Sequence, residues 1–206
     1  MINKAQLKKL INRAGKEGRL LWAYKDGVHY ICDKFFMIKA PDSVFDSELV
    51  GLMYKYFNMK PKSGDQIYYN IVESERDKVT RKEKPVYKAE VHKTRDINFF
   101  IEGTEIKGEY GLVHFLDAFI AHKSGEVALY GEWDKETNRV TAIDRIYHEL
   151  LAWNKPDITV PCTQYYKGKL GGIMFHEVNT DTVLWILPVR ALRPKTLGSE
   201  YVMENE

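Results

Sequence analysis

Cysteine is scarce in this chain. Cys32 and Cys162 are its only two, and no CxxC spacing connects them, so neither a zinc framework nor the disulfide pattern of a small secreted domain is present. Both lie in apolar, strand-like runs, where a buried thiol is the ordinary reading. Long apolar runs are missing as well. None approaches the roughly 20 residues needed to cross a bilayer, and the N-terminus lacks the basic-then-apolar pattern of a signal peptide. The expectation is a soluble, cytoplasmic protein with no membrane partner. Charge of one sign is not in excess: the net charge is +2 with 29% charged residues. That balance does not announce a nucleic-acid binder, although a local basic face is enough for one. Also absent are the glycine-rich phosphate loops of dinucleotide and P-loop folds and the GxSxG nucleophile elbow.

What is present is a hydrophobic content of 44% over 206 residues, enough for a sizeable core. A block of helix followed by strands occurs twice. Near the N-terminus, Lys4 to Lys16 carries Leu7, Leu10, Ile11 and Ala14 at i, i+3, i+4 and i+7, one buried stripe. Asn3 is placed to cap this helix, and Gly15 and Gly18 flank its end. Strand-like runs follow at 20–24 and 28–32, turning at Lys25-Asp26-Gly27, and a third spans 35–38. Near the C-terminus, Ile143 to Trp153 repeats the helical pattern and leads into strands at 158–160, 173–175 and 183–187.

Between these blocks the spacing predicts a helix from Ser43 to Phe57 capped by Ser43. Strands are predicted at 67–72, 86–91, 97–101, 127–133 and 139–143, and a helix from Tyr110 to His122. The charged stretch Glu73 to Lys84 reads as an exposed loop or hairpin tip. The order is mixed α+β, not a βαβ alternation. The expected organisation is one domain over 1–190 with an insert at about 43–84, then a polar C-terminal tail, 191–206, frayed at its end.

Few residues point to chemistry. Lys4, Lys8, Lys9, Arg13 and Lys16 occupy the first helix opposite its apolar stripe, with Arg19 just beyond. Two readings stand: a solvated lysine-rich face, or a surface that tracks nucleic-acid phosphates. The polar side of the second helix pattern, Asp144, Arg145, His148 and Glu149, is not basic. His148-Glu149 begins like the HExxH zinc motif, but position 152 is alanine, so the second imidazole is missing. Asp96, Glu105 and Lys107 imitate the acidic-x-lysine signature of a metal-dependent nuclease superfamily, which composition alone also supplies. Tyr68-Tyr69 and Tyr165-Tyr166 could stack on bases, and strand packing explains them equally well. No catalytic residue, metal or cofactor is expected.

One resemblance joins these readings. The runs at 140–147, 157–160, 171–175 and 184–190, ending in Leu187-Pro188-Val189-Arg190, are similar to the closing part of a DNA sliding clamp (polymerase processivity factor) domain. The Asp26-Gly27 hairpin resembles the strand pair after a clamp helix. The resemblance implies a pseudo-symmetric DNA-clamp-like α+β fold, with two βαβββ halves and mostly antiparallel sheet; the helical insert at about 43–84 departs from it and has no clamp counterpart. It implies a protein that is not an enzyme, whose helices face duplex DNA, with Lys8, Lys9 and Arg13 toward the duplex. A replication protein would be a partner through a peptide groove near Leu184 to Val189, and the chain could form a homo-oligomer. A bacterial clamp subunit has three such domains, which this length does not allow. The alternatives are a small metal-dependent nuclease-type enzyme and a protein-interaction scaffold without nucleic acid.

Overall fold

A computed structural model describes residues 2–71, 87–90, 111–122, 125–132, 140–151, 163–166, 172–189, 192–197 and 200–205. The chain is α+β with mostly antiparallel strands, and it divides into two compact units. The first comprises Lys4–Glu105 with Val178–Val183. The second comprises Met1–Asn3, Ile106–Glu177 and Leu184–Glu206.

The first unit begins with α1 (Lys4–Lys16), whose buried side chains include Leu7, Leu10, Ile11 and Ala14, the stripe predicted from spacing. Burying such a Leu or Ile stabilises the fold by about 1.5–3 kcal/mol before entropy is charged against it. Gly15 lies inside the helix rather than beyond it, and Gly18 (φ +63°) takes the left-handed position after its end. Strands β1 (Arg19–Lys25) and β2 (Val28–Cys32) pair through Lys25 and Val28, leaving Asp26-Gly27 as a two-residue loop. Both loop residues have positive φ, +50° and +83°, as a type I′ hairpin requires. β3 (Phe36–Pro41) returns along β2, and β4 (Asp65–Ile71) and β5 (Tyr87–Glu90) continue on the other side, giving the order β5-β4-β1-β2-β3.

The helix in the insert, α2 (Ser47–Phe57), starts four residues later than predicted, and its cap is Asp46, not Ser43. Asp46 accepts a hydrogen bond from the Leu49 amide, while the chain from Pro41 to Phe45 is spent on a turn closed by Val44 and Phe45 N–H bonds to the Pro41 carbonyl. Asn58 (φ +55°) ends the helix by donating its N–H to the Tyr54 carbonyl. Leu49, Met53 and Phe57 face the core, where Phe57 meets Trp22 and Tyr69.

In the second unit β6 (Gly111–His122), β7 (Gly125–Glu132), β8 (Val140–Asp144), β9 (Thr163–Tyr166) and β10 (Gly172–Glu177) run antiparallel in the order β10-β9-β6-β7-β8. The helix predicted from Tyr110 to His122 is therefore a strand. Its register explains the error: Phe115 pairs with Tyr130 and Phe119 with Ala128, so a bulge of two extra residues separates them. Asp117 in that bulge has φ +52°. Two extra residues keep the strand's alternation: Leu116 and Ile120 pack on Val127, Leu129 and Ala142, while Phe115 and Phe119 both meet His148, so apolar residues on both faces imitate a 3.6-residue period.

The second helix pattern also shortens. Ile143 and Asp144 belong to β8, and α3 spans only Arg145–His148, capped by Asp144. The Leu150 and Leu151 amides bond three residues back, a tightened turn. The chain is then captured in extended form: Ile2 bridges Leu151, and the Asn3 N–H donates to the Leu150 carbonyl at 2.7 Å. β11 (Thr182–Ile186), divided between the units after Val183, is buried throughout. The segment read as a polar tail holds a hairpin of β12 (Leu192–Leu197) and β13 (Glu200–Asn205). The predicted strands at 97–101 and 158–160 and the charged stretch Glu73 to Lys84 lie outside the described residues.

Candidate functional site

The five basic residues of α1 do not form one uniform face. Lys4 and Lys8 lie on the flank toward α2, where Lys4 Nζ is 2.6 Å from Asp46 and Lys8 pairs with Glu48. These carboxylates sit at the start of α2, where negative charge also favours the helix dipole. Lys9, Arg13 and Lys16 recur at i, i+4 and i+7 and share the exposed side. Arg13 pairs one turn on with Glu17 at 3.1 Å. Among the described residues no carboxylate pairs with Lys9 or Lys16. Lys55 of α2 adds a fourth exposed cation beside them, its Nζ 3.4 Å from Asn12 Oδ1 and 5.3 Å above the Tyr56 ring. Periodicity found the cations of α1. It could not find Lys55 or the α2 carboxylates, because those positions depend on how the two helices pack.

Arg19, read as an extension of the basic face, turns inward. Its guanidinium bonds Asp33 through both the carbonyl and the carboxylate, and also Glu17. Asp33 is fully buried and accepts the Phe35 and Phe36 amides, so the pair fastens the β2–β3 turn. Burial pushes the Asp33 carboxyl above the ordinary range, against the pull of Arg19 and of those amides.

Two histidines that the sequence left unassigned are buried and partnered. His29 is fully buried on β2. Its Nδ1 accepts from the Trp22 indole N–H at 2.9 Å, and its Nε2 lies 2.7 Å from Asp42 Oδ1. An indole N–H only donates, which fixes the neutral Nε2–H tautomer. In the second unit, His148 Nδ1 lies 2.7 Å from the Tyr130 hydroxyl, with the Phe115 ring 4.6 Å away. Burial lowers the His148 pKa to about 4 and raises that of Tyr130. Both imidazoles are built into the core, and neither is presented as an open general base.

The other candidates separate in the same way. Tyr69 is buried against Tyr56 and Phe57, which accounts for it as packing, while Tyr68 is half-buried. Tyr165 and Tyr166 lie on β9, with Tyr165 opposite Ile173. Burial lifts the Cys32 thiol pKa to about 11, unsuited to a nucleophile. Near the expected peptide groove, Leu184, Trp185 and Ile186 are core residues and Leu187 to Val189 are half-buried. Val189 packs on Val127, Leu129 and Ala142 and donates its N–H to the Ala142 carbonyl. Asp96, Glu105, Lys107 and Cys162 lie outside the described residues. Among the described residues, no group of three His, Cys, Asp or Glu side chains could hold a metal ion, and no helix is long and apolar enough to cross a membrane. Compared with known proteins, the chain matches no family model, no curated protein and no solved structure.

Proposed function

We propose that the protein is a non-enzymatic, clamp-like module that contacts the phosphate backbone of duplex DNA through α1. The observation that carries this reading is the exposed stripe of Lys9, Arg13 and Lys16, extended sideways by Lys55. The stripe covers about 10 Å of helix axis at 1.5 Å per residue, a length over which neighbouring phosphates are met. Cations spaced along a rigid helix neutralise phosphates without reading bases, so the binding is sequence-independent and salt-sensitive. Lys4, Lys8 and Arg13 contribute less, because Asp46, Glu48 and Glu17 already neutralise them, which leaves Lys9, Lys16 and Lys55 as the three main phosphate contacts. The clamp-like reading rests on the helix-then-strands order of both halves. The single turn of α3 makes the second half a poor DNA-facing counterpart of α1, so the contact belongs to the first unit.

Fluorescence anisotropy of a labelled duplex across a salt series tests the proposal. Log affinity should fall against log salt with a slope of about −3, from roughly 0.9 per neutralised phosphate. Lys9→Glu/Arg13→Glu/Lys16→Glu should abolish binding, while Lys4→Ala/Lys8→Ala should keep most of it. Absence of binding at low salt, or equal losses in both variants, would sink the assignment.

A further inference from the structure

We propose that Trp22, His29 and Asp42 form an acid-released clasp, in which a proton arriving at His29 Nδ1 expels the Trp22 hydrogen bond and loosens the seat of α2 on the sheet. The basis is geometric. Nδ1 has one lone pair, and the Trp22 indole N–H, 2.9 Å away, occupies it. An imidazolium and that hydrogen bond exclude each other. On the other side of the ring, Nε2–H donates to Asp42, 2.7 Å away, and this contact strengthens when the ring is charged. The two partners therefore pull in opposite directions.

The surroundings decide which pull wins at neutral pH. From β1, Trp22 stacks on the imidazole with centroids 5.8 Å apart, and Tyr24 lies 4.9 Å away with its hydroxyl 3.2 Å from Asp42. Ahead of α2, Phe45 closes over the ring at 4.6 Å. After α2, Lys60 Nζ stands 3.8 Å from Asp42 and disfavours a second cation nearby. Burial lowers the pKa of His29, and the Asp42 hydrogen bond opposes that effect. The indole also meets Phe45, Tyr54 and Phe57. A displaced Trp22 thus transmits protonation to α2 and to the segment leading into it.

The test is nitrogen NMR of the His29 imidazole in the full chain, followed with the Trp22 indole N–H from about pH 7.5 to about pH 4.5. The expected result is the Nε2–H tautomer at high pH and a midpoint below the ordinary value of about 6.5. The indole resonance and the α2 amides should shift with that same midpoint. Trp22→Phe should raise the midpoint by about 0.7 pH unit, the equivalent of one hydrogen bond. Asp42→Asn should lower it by a similar amount. If Trp22→Phe fails to fold, Asp42→Asn decides, since that carboxylate is exposed and its loss leaves the core intact. Titration of His29 with the indole resonance unmoved, or a midpoint unaffected by the replacements, overturns the proposal.

Discussion

Replacing Gly15 by alanine should destabilise the protein, although the same change in most helices stabilises. Gly15 is buried inside α1, and its φ is not in the left-handed region. Helix propensity alone therefore favours alanine by about 1 kcal/mol. A Cβ at this position, however, would stand 2.3 Å from Tyr56 Cε1, 2.4 Å from Cζ and 2.6 Å from Cδ1. Ordinary carbon contacts begin at about 3.5 Å, so the ring would have to retreat by about 1 Å. Tyr56 is not free to do so: its hydroxyl bonds Asn12 at 2.8 Å (side chain) and 3.3 Å (backbone carbonyl), and its ring lies edge-on to Tyr69. Overpacking costs about 1–3 kcal/mol and the strained hydrogen bond about 1 more. With the propensity gain offset, a net loss of about 1–3 kcal/mol is expected. Urea denaturation of wild type, Gly15→Ala, Tyr56→Ala and the double variant measures it. The sign should reverse in the Tyr56→Ala background, where alanine at 15 stabilises by about 1 kcal/mol. A Gly15→Ala protein more stable than wild type would refute the reasoning.

Acid should weaken the second unit through His148. Its folded-state pKa of about 4 lies below the unfolded 6.5, so the unfolded chain binds the proton first. The contribution is fully present above pH 6.5 and falls as pH drops toward about 4, a loss of about 3 kcal/mol that His148→Leu should flatten in urea titrations across pH. Asp33→Ala should cost about 3–5 kcal/mol by leaving the buried Arg19 charge without its main partner. The Arg19→Met/Asp33→Asn double replacement, whose side-chain oxygen can still accept from the Phe35 and Phe36 amides, should lose much less, and equal losses in the two variants would argue against a paired-charge origin.

The residues that were legible in the sequence are those whose signal is local. The apolar stripe of α1 and the Asp26-Gly27 hairpin were read correctly, because a periodicity of 3.6 and a pair of positive-φ positions depend only on neighbouring residues. The cations of α1 were legible for the same reason. Where two local codes competed, the reading failed. Asp46 displaced Ser43 as the cap of α2 because the Pro41 turn consumed the residues between them.

Only tertiary structure decided the remainder. The stretch from Gly111 to His122 carries an acceptable helical spacing, but its backbone groups are satisfied by β7 and β9, and the bulge at Asp117 absorbs the mismatch. The short α3 reflects a bridge to Ile2, far away in sequence. The neutralisation of Lys4 and Lys8 was set by Asp46 and Glu48 on another helix. The partners of His29 and His148 came from neighbouring strands and turns. The sequence by itself determined the elements whose geometry is dictated within one turn or one hairpin. The pairing of strands, the neutralisation of charge and the tautomer of a buried ring were decided by groups that meet only after folding, since desolvation and hydrogen-bond partnership are properties of the assembled interior.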